Sequence, residues 1–263
     1  MALWRNDWAV VTGASAGIGR EFAVQLSRSG MNCILVARRE ATLQALAAEL
    51  SANDRTKSLV IAADLSEPGS AAVVRQRVEA AGLRVRVLVN NAAVGKWGRF
   101  ERASAGDYGR MLILNTITPV ELCHAFLSHL RSFDRSAVIN VTSQAALQPV
   151  PFMAVYAASK AFDHSFSLAL YEEWKAHGIA VHSVIPAPTN TEFDANAGAY
   201  ASAVVARRPP AEVVQLALAR MGDDIPVISS AKGIFKQRFF NGVFPTKRVL
   251  HEVAKLFRPP DER

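Results

Sequence analysis

The sequence predicts an α/β fold: an open, doubly wound parallel sheet with helices on both faces, followed by a C-terminal helical extension. Three observations carry that expectation. Short, continuously apolar runs alternate with longer helical patterns, as strands buried on both faces of a sheet require. A Gly-rich stretch joins the first strand to the first helix. No linker or low-complexity segment interrupts the alternation, so residues 1–263 read as a single domain.

Strands are expected at 8–13 (WAVVTG), 33–38 (CILVAR), 58–64 (SLVIAAD), 85–92 (VRVLVNNA), 136–143 (SAVINVTS) and 180–186 (AVHSVIP). Helices are expected near 17–29, 40–52, 68–81, 104–130 and 152–177. Gly30 is a natural C-terminal cap for the first of them. After Pro188 the rhythm breaks. Residues 190–225 then read as a substrate loop or lid, and 226–263 as a basic amphipathic extension.

Half of the 263 residues are hydrophobic and a fifth are charged, ample for a sizeable core. An apolar strand begins almost at once, which leaves no room for a signal peptide. No uninterrupted 18-residue apolar run is found, so no transmembrane helix is expected. Cys33 and Cys123 lie in apolar stretches and read as small core residues, so a cytoplasmic location is expected. The six histidines form no metal-ligand cluster.

The formal charge is +7. From Ala231 onward eight Lys or Arg face three acids, most of that excess. With no nucleic-acid motif present, a solvated basic face or a dock for an acidic partner or anionic lipid is the better reading. Within 246–258, Val249, Leu250, Val253, Leu256 and Phe257 share one helical face, ringed by Lys247, Arg248, Lys255 and Arg258. Such a helix can pack on the protein or a second subunit, lie on a membrane, or meet an acidic carrier protein.

The turn TGASAGIG (12–19) points to a nucleotide. Gly13 permits the sharp turn, Gly17 the approach of a phosphate, and Gly19 the close packing of helix on strand. The helix behind it offers free N–H groups and a partial positive charge to a pyrophosphate, with Ser15 and Ile18 in the same turn. At the end of the second strand an acidic residue would select NAD, and a basic one the 2′-phosphate of NADP. Arg38 and Arg39 stand there, so NADP(H) is expected, with Arg38 the stronger candidate because it follows the strand directly.

Tyr156 and Lys160 lie four apart in VYAASKAF, on one helical face. Hydride transfer to a carbonyl builds charge on oxygen, which calls for hydrogen-bond donors and then a proton. A phenol can give that proton, and a nearby ammonium is expected to lower its pKa toward neutrality. Ser143, ending the fifth strand, can hydrogen-bond the carbonyl without ionising.

TGASAGIG, Asp64, NNAA (90–93), Asn115, Ser143 and YAASK occur in an order that resembles the short-chain dehydrogenase/reductase (SDR) family, from about Trp8 to Phe193. PAPTNTEF (186–193) is similar to a motif of the same family. The resemblance implies a Rossmann-type fold and a catalytic set of Asn115, Ser143, Tyr156 and Lys160. Tyr156 would be the acid or base, Lys160 would also bind the nicotinamide ribose, and Asn115 would hold a water. It also implies cofactor contacts from Asp64, Leu65, Asn91, Ala92, Thr189 and Thr191, and a homodimer or homotetramer built on the helices of Asn115 and Tyr156. Two departures stand out: Ala93 and Ala187 replace glycines of the family pattern, and the second could tilt its loop if it needs positive φ.

Loops near the strand ends carry Trp97, Phe100, Leu147, Val150, Phe152, Met153, Phe193 and Tyr200, a largely apolar lining. The expected activity is therefore interconversion of a hydrophobic ketone and a secondary alcohol, of the 3-oxoacyl, steroid-like or aromatic class. The alternatives are a non-catalytic NADP(H)-binding sensor or scaffold, and a reductase docked to a membrane or carrier protein.

Overall fold

The computed structural model describes residues 4–198, 207–231, 233–234 and 242–259. Tyr200, expected in the substrate lining, lies outside them, as does part of the basic tail. Seven parallel strands form one sheet: β1 (Trp8–Thr12), β2 (Asn32–Ala37), β3 (Ser58–Ala62), β4 (Val85–Asn90), β5 (Ser136–Val141), β6 (Ile179–Ile185) and β7 (Val227–Ser229). Their order is β3-β2-β1-β4-β5-β6-β7. The order reverses between β1 and β4, and there a crevice opens at the carboxyl ends of the strands.

The helices are α1 (Gly17–Arg28), α2 (Glu40–Asp54), α3 (Ser70–Ala80), α4 (Ala105–Leu112), α5 (Thr118–Leu130), α6 (Ala154–Lys175), α7 (Phe193–Ala197), α8 (Pro210–Ala219) and α9 (Thr246–Phe257). Alternate strand residues feed two cores. Ala9, Val11, Cys33, Leu35 and Val89 meet α1, α2 and α8 on one face. Val10, Ile34, Val36, Leu88 and Val138 meet α3, α5 and α6 on the other. Both faces are covered, so the central strands are largely apolar instead of alternating.

Two expectations need correction. Residues 226–263 are no mere extension, since Val227–Ser229 adds the seventh strand beside β6. Much of 190–225 is body as well as lid: Val213, Val214, Ala217 and Leu218 of α8 are buried in the core shared with α1. A segment passing the length and hydropathy test for a membrane span does exist, at Ala105–Leu130. Here it forms core helices, with Leu122, Cys123, Phe126 and Leu130 buried against the sheet and α3.

That segment is not uniformly α-helical. Ile113–Ile117 forms a π-helical turn, and the Thr118 N–H reaches back to the Ile113 carbonyl. Pro119 supplies the cause, because it has no N–H to offer the Asn115 carbonyl four residues earlier.

The tightest backbone approach joins α1 to β1. A Cβ on Gly19 would stand 2.3 Å from the Gly13 carbonyl oxygen and 2.4 Å from Asn91 Nδ2. Gly19→Ala should therefore lower stability by about 1–3 kcal/mol, measured as a fall in the urea midpoint at unchanged slope.

Candidate active site and cofactor cleft

A cleft of about 980 Å³ runs along the carboxyl ends of the strands, from the Gly-rich turn past Tyr156 to Phe257. At its nucleotide end Gly13 and Gly17 adopt φ of +66° and +54°, conformations that side chains disfavour. Gly17 faces the methyl of Thr191, 3.0 Å from where a Cβ would stand. Ser15 and Ile18 line the same wall.

Thr12, the first residue of the Gly-rich turn, organises this end, a role the motif did not assign to it. Its hydroxyl donates to the Val89 carbonyl (3.1 Å) and accepts from the N–H groups of Asn91 (2.8 Å) and Ala92 (3.0 Å). Asn91 Nδ2 donates to the Thr12 carbonyl at 2.9 Å. The NNAA turn is thereby fixed to β1. Asn91 and Ala92 line the cleft while supporting the sheet.

The two arginines behave differently. Arg39 donates to Ser15 Oγ (3.1 Å, through Nη2) and pairs with Glu192 at 3.1 Å. Arg38 reaches Asp64 only at 3.9 Å, and its side chain is 70% exposed. Asp64 Oδ1 accepts from Ser66 N (2.9 Å) and Ser66 Oγ (2.7 Å). Against the upward pull of partial burial, these donors and the Arg38 and Arg110 guanidiniums hold its carboxyl below the ordinary range. The Leu65 carbonyl accepts from Thr118 Oγ1 at 2.7 Å, tying this loop to α5.

At the chemical end Ser143 follows β5 and caps a 3-10 turn over Gln144–Leu147, its hydroxyl accepting from Ala145 N at 3.1 Å. Ser143 and Tyr156 line the same wall of the cleft. Tyr156 is 8% exposed, and the Phe193 ring packs on it with centroids 5.1 Å apart. Lys160 Nζ donates to the Val141 carbonyl at 2.8 Å and to Asp163 Oδ2 at 3.3 Å.

The expected lowering of the phenol pKa is absent from the protein by itself. Burial pushes Tyr156 up to about 12; the nearby Ser143 hydroxyl opposes this, while Asp194 and Asp163 add to it. The lysine charge is met by a carboxylate that sequence reading missed. The spacing of Asp163, three residues after Lys160 on one helical face, was a signal that could have found it; its burial beneath the cleft was not legible.

Asn115 occupies the π-helical turn. Its side chain accepts from Val94 N (3.1 Å) and donates to the Val94 carbonyl (2.9 Å) and Ser159 Oγ (3.0 Å). Ser159 in turn donates to the Tyr156 carbonyl at 2.7 Å. Asn115 thus ties the loop after β4 to the helix of Tyr156 and Lys160. Thr189 Oγ1 donates to the Ala187 carbonyl (2.6 Å), and the Thr191 hydroxyl accepts from Phe193 N (3.3 Å). Ala187 is not among the residues of positive φ, and its N–H donates to Ser230 Oγ at 2.8 Å. The missing glycine therefore leaves no strain there.

The substrate side is apolar. Val150, Met153, Tyr156 and Ala157 form one cluster with Val249 and Val253 of α9, and Trp97, Phe193 and Phe257 pack against it. Trp97 Nε1 donates to the Phe257 carbonyl at 2.7 Å. The C-terminal helix thus packs beside the site, with one departure from the expected face: Leu256 points outward, 63% exposed.

Residues 7–201 match the family described as short chain dehydrogenase. The very-long-chain 3-oxoacyl-CoA reductase of Bos taurus is 30% identical over 189 residues, 70% of this chain and 59% of that protein. The 17-beta-hydroxysteroid dehydrogenase type 3 of Mus musculus is 31% identical over 190 residues, covering 71% and 61%. The chain thus spans about three fifths of the length of these relatives. A solved short-chain dehydrogenase from Sphingobium yanoikuyae in complex with NADPH superposes with a TM-score of 0.81 at 28% identity, over 91% of this chain and 96% of that one. The bulky-bulky ketone specific alcohol dehydrogenase from Comamonas testosteroni gives 0.76 at 28% identity, over 88% and 90%.

Asn115→Ala removes three hydrogen bonds between the β4 loop and α6. A stability loss of about 1–3 kcal/mol is expected, measured by thermal unfolding, with Leu variants at exposed Lys247 as neutral controls.

Proposed function

The chain belongs to the short-chain dehydrogenase/reductase family, and from that premise we propose that it is an NADP(H)-dependent oxidoreductase interconverting a hydrophobic ketone and a secondary alcohol. The observation that carries the reading is the meeting of Ser143, Tyr156 and Lys160 in the same cleft as the Gly-rich turn and two arginines. The cleft fits the dinucleotide on its own geometry: Gly13 and Gly17 keep the backbone open where a phosphate would approach, and Arg38 has its fork in solvent beside β2.

A bound nicotinamide would supply or accept the hydride. Ser143 would donate a hydrogen bond to the substrate oxygen, and Tyr156 would give that oxygen its proton in reduction or take it in oxidation. Lys160, anchored by Val141, would stand beneath the phenol and meet the ribose. Asn115, beside Ser159 at the foot of α6, would keep a water connected to Lys160. Asp64, Leu65, Asn91 and Ala92 would flank the adenosine, with Thr189 and Thr191 toward the carboxamide and pyrophosphate.

The apolar wall of Trp97, Val150, Met153, Phe193 and Phe257 supports a bulky apolar ketone, of the 3-oxoacyl, steroid-like or aromatic class. The names of the two curated relatives point to the same chemistry. Exposed Leu112, Ile117 and Phe162 on the outer side of the α4–α6 layer suit a homodimer or homotetramer. The free, buried thiols Cys33 and Cys123 suit a reducing cytoplasm. A docked form of the same enzyme is the second reading. Outward Leu256 lies on α9 beside Lys255 and one turn from Glu252, a face that an anionic membrane or acidic carrier could meet.

Tyr156→Phe should reduce NADPH-dependent turnover of an aromatic or 3-oxoacyl ketone by about a thousandfold; undiminished turnover would refute the assignment. Arg38→Ala should raise the Kd for NADPH by about tenfold and leave that for NADH unchanged, measured by nucleotide fluorescence titration.

A further inference from the structure

Beneath the cleft lies a carboxylate that the reaction so far does not use. Asp163 is 2% exposed and follows Lys160 by three residues on α6. Tyr156, Lys160 and Asp163 fall at offsets of zero, four and seven, so one helical face carries all three. Lys160 Nζ gives one proton to the Val141 carbonyl at 2.8 Å and another to Asp163 Oδ2 at 3.3 Å. Two of the three ammonium donors are therefore committed to the chain. Asp163 Oδ1 is buried and has no hydrogen-bond partner among the described residues.

A carboxylate in this seam between helix and sheet is expensive, and an apolar side chain of similar size would fill it at less cost. A role in stability alone explains it poorly. We propose that Asp163 is a positioning residue acting through Lys160: its buried carboxylate holds the ammonium against the end of β5 and offsets its charge at the Tyr156 phenol.

The surroundings identify the groups that matter. From α6, Asp163 acts on the phenol, its partner Lys160 lying on the same helical face; from α7 comes Asp194, itself paired with Arg207; from beyond the end of β5 comes neutral Ser143. Across the seam Cys123 of α5 feels the same carboxylate. Burial first and the Asp163 charge second push its thiol up to about 12, so it stays neutral. Burial also raises the Asp163 carboxyl itself, with Lys160 opposing. Resting on the reading of Tyr156 as proton donor, the pair keeps the phenol protonated, the form that serves a carbonyl oxygen in reduction.

The test follows tyrosinate absorbance against pH with NADP⁺ bound and no substrate, each chain differenced against its Tyr156→Phe counterpart. In Asp163→Asn the phenol midpoint should fall by about one pH unit, and Asp163→Glu should restore it. The falling limb of ketone reduction should move in the same direction. An unmoved midpoint in folded Asp163→Asn would overturn the proposal. So would failure of both Asp163→Asn and Asp163→Val to fold while Asp163→Glu folds, since the carboxylate would then serve the fold alone. If no ketone is reduced by the unaltered chain, the oxidoreductase reading fails, while the titration still decides the role of Asp163.

Discussion

A buried ammonium is the constraint on which the site depends. Lys160 sits between α6 and the last residue of β5, in a place where an unpaired charge would be strongly unfavourable. The Val141 carbonyl and the Asp163 carboxylate satisfy it. Once that charge is fixed, the register of α6 against the sheet is fixed too. Tyr156, one turn earlier, then faces the cleft that Ser143 also lines, just beyond the end of the same strand.

Other devices refer the remaining walls to the same sheet. Thr12 binds the turn after β4 to the end of β1, which sets where a dinucleotide can lie against the glycines. Pro119 opens a π-helical turn at Asn115, whose side chain bridges to Val94 and Ser159. The C-terminal helix then covers the apolar side, through Val249, Val253 and the bond from Trp97 to the Phe257 carbonyl. Each contact lies at the carboxyl end of the sheet, where strand order reverses and side chains from distant segments meet.

Much of this was legible in the sequence wherever the signal was local. The six longer strands, the glycine turn and the Tyr156–Lys160 spacing follow from periodicity and chain order. The three-residue strand Val227–Ser229 was not legible, because its stability comes from pairing with β6 and not from its own composition. Asp163 and Thr12 were legible only in part: the spacing from Lys160 and membership of the glycine turn mark them, but burial and the bonds to the turn after β4 come from the fold. The phenol pKa went the other way from expectation because desolvation, with Asp194 and Asp163 adding to it, outweighs the lowering by Ser143, while the lysine charge is met by Asp163. The hydropathy of Ala105–Leu130 is that of a helix with one side in a protein core. Composition alone does not separate that from a membrane span.

The central claim is that this cleft places a ketone and a nicotinamide face to face above Tyr156. Transfer of label measures it most directly. The chain is incubated with a bulky aromatic or 3-oxoacyl ketone and NADPH deuterated on one or the other face of C4, and the product alcohol is analysed by mass spectrometry. Deuterium should appear at the carbinol carbon from one face only, as a cleft with a single cofactor wall requires. Product carrying label equally from both faces, or no labelled alcohol from any ketone of the class, would contradict the account.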